Sequence, residues 1–188
     1  MVSVVKRQIC VISQHGDSGH ARGADRSSYD QRMDPGGWQQ LIDDYRDGPA
    51  LVREALAGIQ LSELDVRPSS EAWTVREIVH HLADAELMAA SRIRRLIAQD
   101  RPTIPSYDEN QFARRLHYER PIESSLDLLA TSRRSTADLL DRLTDTEWLR
   151  EGNHDEYEGY SVEYIIRRAA AHCPMHADQI KRARAGKS

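Results

Sequence analysis

The chain has 188 residues and a formal net charge of −4. That length suits one domain with a sizeable core, and the lack of a basic surplus excludes a protein built to grip a nucleic-acid backbone. Charged residues make up 30%, aromatics 6%, and the only cysteines are Cys10 and Cys173, which fits amphipathic helices in a reducing cytoplasm and excludes a disulfide framework.

Residues 1–32 open with Val2 to Ile12, an apolar stretch interrupted by Lys6 and Arg7 and followed by no small-residue cleavage site, which argues against a signal peptide. The remainder of this segment is polar, contains glycine and has no period, so it predicts a disordered extension in which His15 and His20 are solvated. Residues 33–188 form the expected domain. No apolar run in the chain reaches the roughly 20 residues that span a bilayer, so no membrane partner is expected.

From Trp38 the pattern turns helical, with Leu41, Tyr45, Val52, Leu56 and Ile59 at helical spacing. Gly48-Pro49 falls inside this stretch, where a missing amide and a ring clash predict a kink or a split. A second helix starts at Thr74, which forms a capping box with Glu77, and runs to about Gln99. The connection from Asp100 to Glu123 is longer than a bundle requires, and a short helix is expected in it over Asn110 to Leu116. Ser124 or Ser125 after Pro121 is the expected cap of a third helix carrying Leu128, Leu129, Leu139, Leu140 and Leu143. A fourth opens at Ser161 and continues to about Arg184, with Pro174 as an internal irregularity. The fold class is therefore all-α, a four-helix bundle with a long connection between its second and third main helices and no sheet.

Three histidines carry the chemistry of this pattern. His172 and His176, four apart, place two imidazoles on one helical face. On the second helix Val75, Ile78, Val79, Leu82, Ala85, Ala89, Ile93 and Leu96 mark the inward stripe. At ~100° per residue His81 falls about 60° from Ile78 and His80 about 160° away, so His81 faces inward and His80 is expected to face outward. Three imidazole nitrogens on a divalent ion leave a coordination position open, as catalytic sites do and closed structural sites do not. The competing explanation is a set of hydrogen-bonded core histidines, which is the commoner fate of any one of them taken alone. A His-Glu-x-x-His protease motif is absent, because Cys173 follows His172. A di-iron bundle needs two Glu-x-x-His motifs; Glu77-Ile-Val-His80 supplies one, and capping explains Glu77. Cys173 reads as a packing residue. Asp84 and Gln179, each one turn from a chosen histidine, are candidates to hold an imidazole through its second nitrogen. Tyr107, Asp108 and Glu109 read as turn formers that can also relay a proton if their loop covers the bundle mouth.

The segments Ala72-Trp-Thr-Val-Arg-Glu-Ile-Val-His-His-Leu-Ala-Asp-Ala-Glu86, Arg101-Pro-Thr-Ile-Pro-Ser-Tyr-Asp-Glu109 and His172-Cys-Pro-Met-His-Ala-Asp-Gln-Ile180 together resemble the DinB-like superfamily of metalloenzymes, and within it the YfiT-like branch of metal-dependent hydrolases. The likeness runs from about Trp38 to Arg184. It implies a four-helix bundle that binds zinc or nickel through three histidines, which match His81, His172 and His176, and it implies frequent homodimers. The function expected on this basis is metal-dependent hydrolysis of a small-molecule substrate. Relatives that transfer low-molecular-weight thiols onto electrophiles supply an alternative, a metal-dependent thiol S-transferase; a non-catalytic metal- or ligand-binding bundle in stress response is a second. Pro174 between two of the matched ligands departs from the family pattern.

Overall fold

In the computed structural model, which describes residues 35–186, four long helices carry the domain. They are α1 (Pro35–Ala55), α2 (Val75–Ala98), α4 (Glu123–Leu140) and α6 (Val162–Arg184), with the shorter α3 (Glu109–Arg115) and α5 (Asp145–Trp148) in the connections. The extension over residues 1–32 lies outside the described residues. No described helix is long and apolar enough to cross a membrane.

Local chemistry sets the helix ends. The Glu77 amide donates to Thr74 Oγ1 at 3.1 Å while the Thr74 amide donates to Glu77 Oε2 at 2.8 Å, closing the expected capping box. Ser161 caps α6 by accepting from the Tyr164 amide at 3.1 Å. The expected serine cap of α4 is corrected: Ile122 holds the N-cap position with no side-chain bond, and Ser125 instead turns into the interior to meet His80. Pro49 does not split α1. The carbonyl that a proline at 49 leaves without its amide partner is that of Tyr45, and Arg133 Nη1 donates to it at 2.8 Å.

The helices form a ring in which α1 packs on α6, α6 on α2, α2 on α4 and α4 on α1. Two of the three consecutive pairs, α1 with α2 and α4 with α6, therefore face each other across the diagonals, whereas α2 and α4 are neighbours. Directions follow from cross-contacts. His81 meets His172 while Arg92 meets Tyr160, so α2 and α6 are antiparallel. His80 meets Ser125 and Arg94 meets Thr136, so α2 and α4 are parallel. A parallel pair of neighbours needs a connection that returns the length of the bundle, which explains the long stretch after α2. That stretch retraces α2: Arg92 Nη2 donates to Pro105 O, Tyr118 Oη to Asp84, and the Arg120 carbonyl lies on His80.

The expectation of no sheet is corrected by a small one, in the order β1 (Thr103–Ile104), β2 (Glu151–His154), β3 (Tyr160–Ser161). β1 pairs parallel with β2, Ile104 opposite His154; β2 pairs antiparallel with β3, Gly152 opposite Tyr160. It ties the two long connections together at one end of the bundle. Gly152 is required there, because a Cβ at that position would lie 2.7 Å from Pro102 O and 2.8 Å from Leu96 Cδ2.

Two apolar clusters make the core. One gathers Leu41, Tyr45, Ile93, Leu96, Leu140, Trp148 and Ile166, with Trp38 stacked on Trp148 at 4.4 Å. The other gathers Val52, Val75, Ile78, Leu82, Leu129, Cys173 and Ile180. Between them lies a polar layer. Arg133 and Glu86 are paired at 2.9 Å with both side chains 1% exposed, and Tyr45 Oη donates to the same carboxylate.

Candidate metal centre

The seam between antiparallel α2 and α6 brings His81, His172 and His176 together. His172 Nε2 lies 3.2 Å from His81 Nε2 and 3.0 Å from His176 Nε2, so the three nitrogens chosen by helical phase converge on one point. The set can be drawn with one ligand atom per residue, all within 4.8 Å of one another. His81 and His176 are buried and His172 is half-buried. Trp73, just ahead of the Thr74 cap, packs edge-on against the His81 ring at 4.8 Å.

Electrostatics keep this cluster neutral. Burial, with the neighbouring His176 adding to it, pushes the His81 imidazole down to about 3. His172 is held well below the usual histidine range by burial and by the other two rings, and His176 is lowered by burial. Neutral rings have lone pairs to offer. The tautomer of one is set by Gln179, whose Oε1 accepts from His176 Nδ1 at 2.7 Å. A proton on Nδ1 leaves Nε2 of His176 bare toward the cluster. Gln179 thus does what its spacing suggested, whereas Asp84 instead accepts from Tyr118 Oη at 2.8 Å.

His80 corrects the sequence reading. It is fully buried, with Nδ1 2.8 Å from Ser125 Oγ and Nε2 3.0 Å from the Arg120 carbonyl. A helical projection treats the side away from the core as solvent, but α4 and the returning connection cover α2 there as well. Both nitrogens are used, and His80 takes no part in the cluster. Cys173 packs as expected, buried against α1, with burial pushing its thiol up to about 11.

The returning connection runs along α2. Asp108 caps α3, accepting from the Gln111 amide at 3.0 Å. Tyr107 packs on Phe112 at 4.8 Å and under the Arg92 guanidinium at 5.3 Å. Burial raises the Glu109 carboxyl, opposed by the charges of Arg168 and Arg92. Arg168 lies one turn before His172 on α6, and its charge also reaches that ring. The Glu86–Arg133–Tyr45 layer was absent from the sequence reading. Its signal was available: Glu86 is four residues after Leu82 and Arg133 four after Leu129, charges on inward stripes.

This bundle and seam find counterparts in known proteins. The family model described as the DinB superfamily matches residues 44–180. "Putative metal-dependent hydrolase OB0782" of Oceanobacillus iheyensis is 32% identical over 141 residues, covering 75% of this chain and 82% of its own. GK0616 of Geobacillus kaustophilus, named in the same way, is 30% identical over 152 residues, covering 80% and 85%. The solved structure of YfiT from Bacillus subtilis, described as "a probable metal-dependent hydrolase with an unusual four-helix bundle topology", superposes with a TM-score of 0.72 at 26% identity, covering 84% of this chain and 93% of that one. The chain belongs to the DinB superfamily, and its fold is that of YfiT.

Proposed function

We propose that this protein is a metal-dependent hydrolase that holds one divalent ion, zinc or nickel, on His81, His172 and His176 and acts on a small-molecule substrate. The observation that carries the reading is the convergence of three neutral imidazole nitrogens on one point. Nitrogen ligands at ~2.0–2.1 Å around a tetrahedral ion stand roughly 3.3 Å apart, close to the 3.0 and 3.2 Å separations here. Without an ion, His172 Nε2 faces two other nitrogens, one of them the bare Nε2 of His176. An ion matches that donor set better than a hydrogen bond does. The names given to the relatives support the same activity.

The ion would supply Lewis-acid polarisation and a nucleophile close to neutral pH. The chain's own charged groups on α2, α6 and the returning connection are candidates to assist it. Asp84, one turn from His81, is oriented by Tyr118 and can accept a proton. Glu109, whose carboxyl is raised by burial, can donate one. Arg168 places positive charge one turn from His172.

Elemental analysis after reconstitution tests the reading, with one ion per chain expected. His81→Ala, His172→Ala and His176→Ala should each weaken binding by more than the ~10–100-fold typical of changes beyond the ligands, while folded His80→Ala keeps its metal. Metal retained by His81→Ala, or no ion bound by the unaltered chain, overturns the site. Loaded protein should turn over an activated ester or amide without added thiol. Turnover that needs a low-molecular-weight thiol would replace hydrolysis with thiol transfer, and none under either condition would favour a binding role.

A further inference from the structure

We propose that Arg133 is a positioning residue for the metal centre, holding from the bundle interior the turn of α6 that Pro174 weakens and so setting the spacing of His172 and His176. This rests on the three-histidine reading above and concerns residues outside the ligand set.

Pro174 lies inside α6, midway between the two ligands. It offers no amide hydrogen to the Ala170 carbonyl and its ring crowds that carbonyl, so this turn lacks one of its own hydrogen bonds. Arg133 Nη2 donates to the adjacent carbonyl, that of Ala169, at 2.6 Å. Its Nη1 donates at 2.8 Å to Tyr45 O, the carbonyl that Pro49 leaves free in α1. Its Nε donates to Glu86 Oε2 on α2 at 2.9 Å. One guanidinium on α4 therefore reaches the other three main helices, two of them at proline-weakened turns.

The surroundings are shaped for it. Gly48 leaves the space that Nη1 occupies, since any Cβ there would run into that nitrogen and come within 2.9 Å of Cys173 Cβ. The guanidinium also lies over the Tyr45 ring at 4.5 Å. Stability alone is a weak reason for this arrangement, because a buried ion pair seldom outperforms well-packed apolar groups of similar volume. Geometry is a better one. A planar fork fixes two carbonyls and a carboxylate at once, which the point charge of a lysine cannot, and the fixed turn immediately precedes the two ligands.

The test is a double-mutant cycle between Arg133→Lys and Pro174→Ala. Zinc affinity is read by chelator competition, ligand geometry by the absorption spectrum of the cobalt(II)-substituted protein, and unfolding midpoints are taken alongside. Arg133→Lys keeps a cation beside Glu86. It is expected to lose ~10–100-fold in affinity and to alter the cobalt spectrum, with a smaller loss when Pro174→Ala restores the amide. Wild-type affinity and spectrum in Arg133→Lys, or the same loss with and without Pro174, overturns the proposal. If Arg133→Lys does not fold, Gly48→Ala, which displaces the guanidinium without removing it, is read in the same way; unchanged affinity in that folded variant overturns it. Binding of no metal by the wild type removes the ground from both proposals, whereas normal wild-type binding with insensitive variants removes only this one.

Discussion

A single amide oxygen decides which nitrogen of His176 faces the cluster, because Gln179 Oε1 accepts from Nδ1 at 2.7 Å. Gln179→Leu removes that acceptor, frees the tautomer and should weaken zinc binding ~10–100-fold with little change in fold; equal chelator-competition constants would show that the bond is incidental. Protons compete for the same nitrogens. The His81 imidazole is pushed down to about 3 in the fold against an ordinary 6.5, and His172 and His176 shift the same way. The unfolded chain therefore takes up protons first as pH falls below ~6.5, and the fold loses stability from there down toward the lowered values, at up to about 1.4 kcal/mol per pH unit for each histidine. Denaturant midpoints of metal-free protein should drop between pH 7 and pH 5, and a flat profile would contradict the buried neutral cluster. The three-histidine cluster was legible in sequence because phase and spacing both point at the seam. His80, Glu86 and Arg133 were not, because a projection of one helix cannot show which second surface covers its far side.

Elements were legible where local chemistry fixes them. Thr74 with Glu77 and Ser161 each mark a helix start that the fold uses, while Asp108, which reads as a turn former, proves to be the N-cap of α3. The strands carried no such signal, being two to four residues long, too short for an alternation to be read. Their pairing depends on contacts fifty residues apart, such as the Asn153 amide donating to Pro102 O at 2.9 Å. Gly152→Ala tests that junction, since the added methyl meets backbone on one side and Leu96 on the other. A loss of about 1–3 kcal/mol in unfolding free energy is expected, with metal content per folded chain unchanged. A neutral substitution would mean that the sheet yields at little cost. Pro49 shows the opposite limit, a helix breaker by local rules that stays within α1 because a residue 84 positions later satisfies the carbonyl it frees.

At the scale of the molecule, four amphipathic helices and one long connection were readable from periodicity and length, and the direction of the third helix was not. Nothing local distinguishes a chain that returns beside α2 from one that simply wanders. Contacts from Pro105, Tyr118 and Arg120 along α2 show that it returns. This arrangement has a kinetic corollary. The first and last of the four long helices are neighbours, and His81 on α2 and His172 on α6 are separated by 91 positions in the chain. Closing so long a loop is entropically expensive and yields its reward only once α6 docks, so the histidine cluster should assemble after the rate-limiting barrier. Zinc in stopped-flow experiments should accordingly leave the refolding rate almost unchanged and slow unfolding, stretching the lifetime of the native state without hastening its birth. A refolding rate that climbs with zinc concentration would instead place the seam inside the folding nucleus.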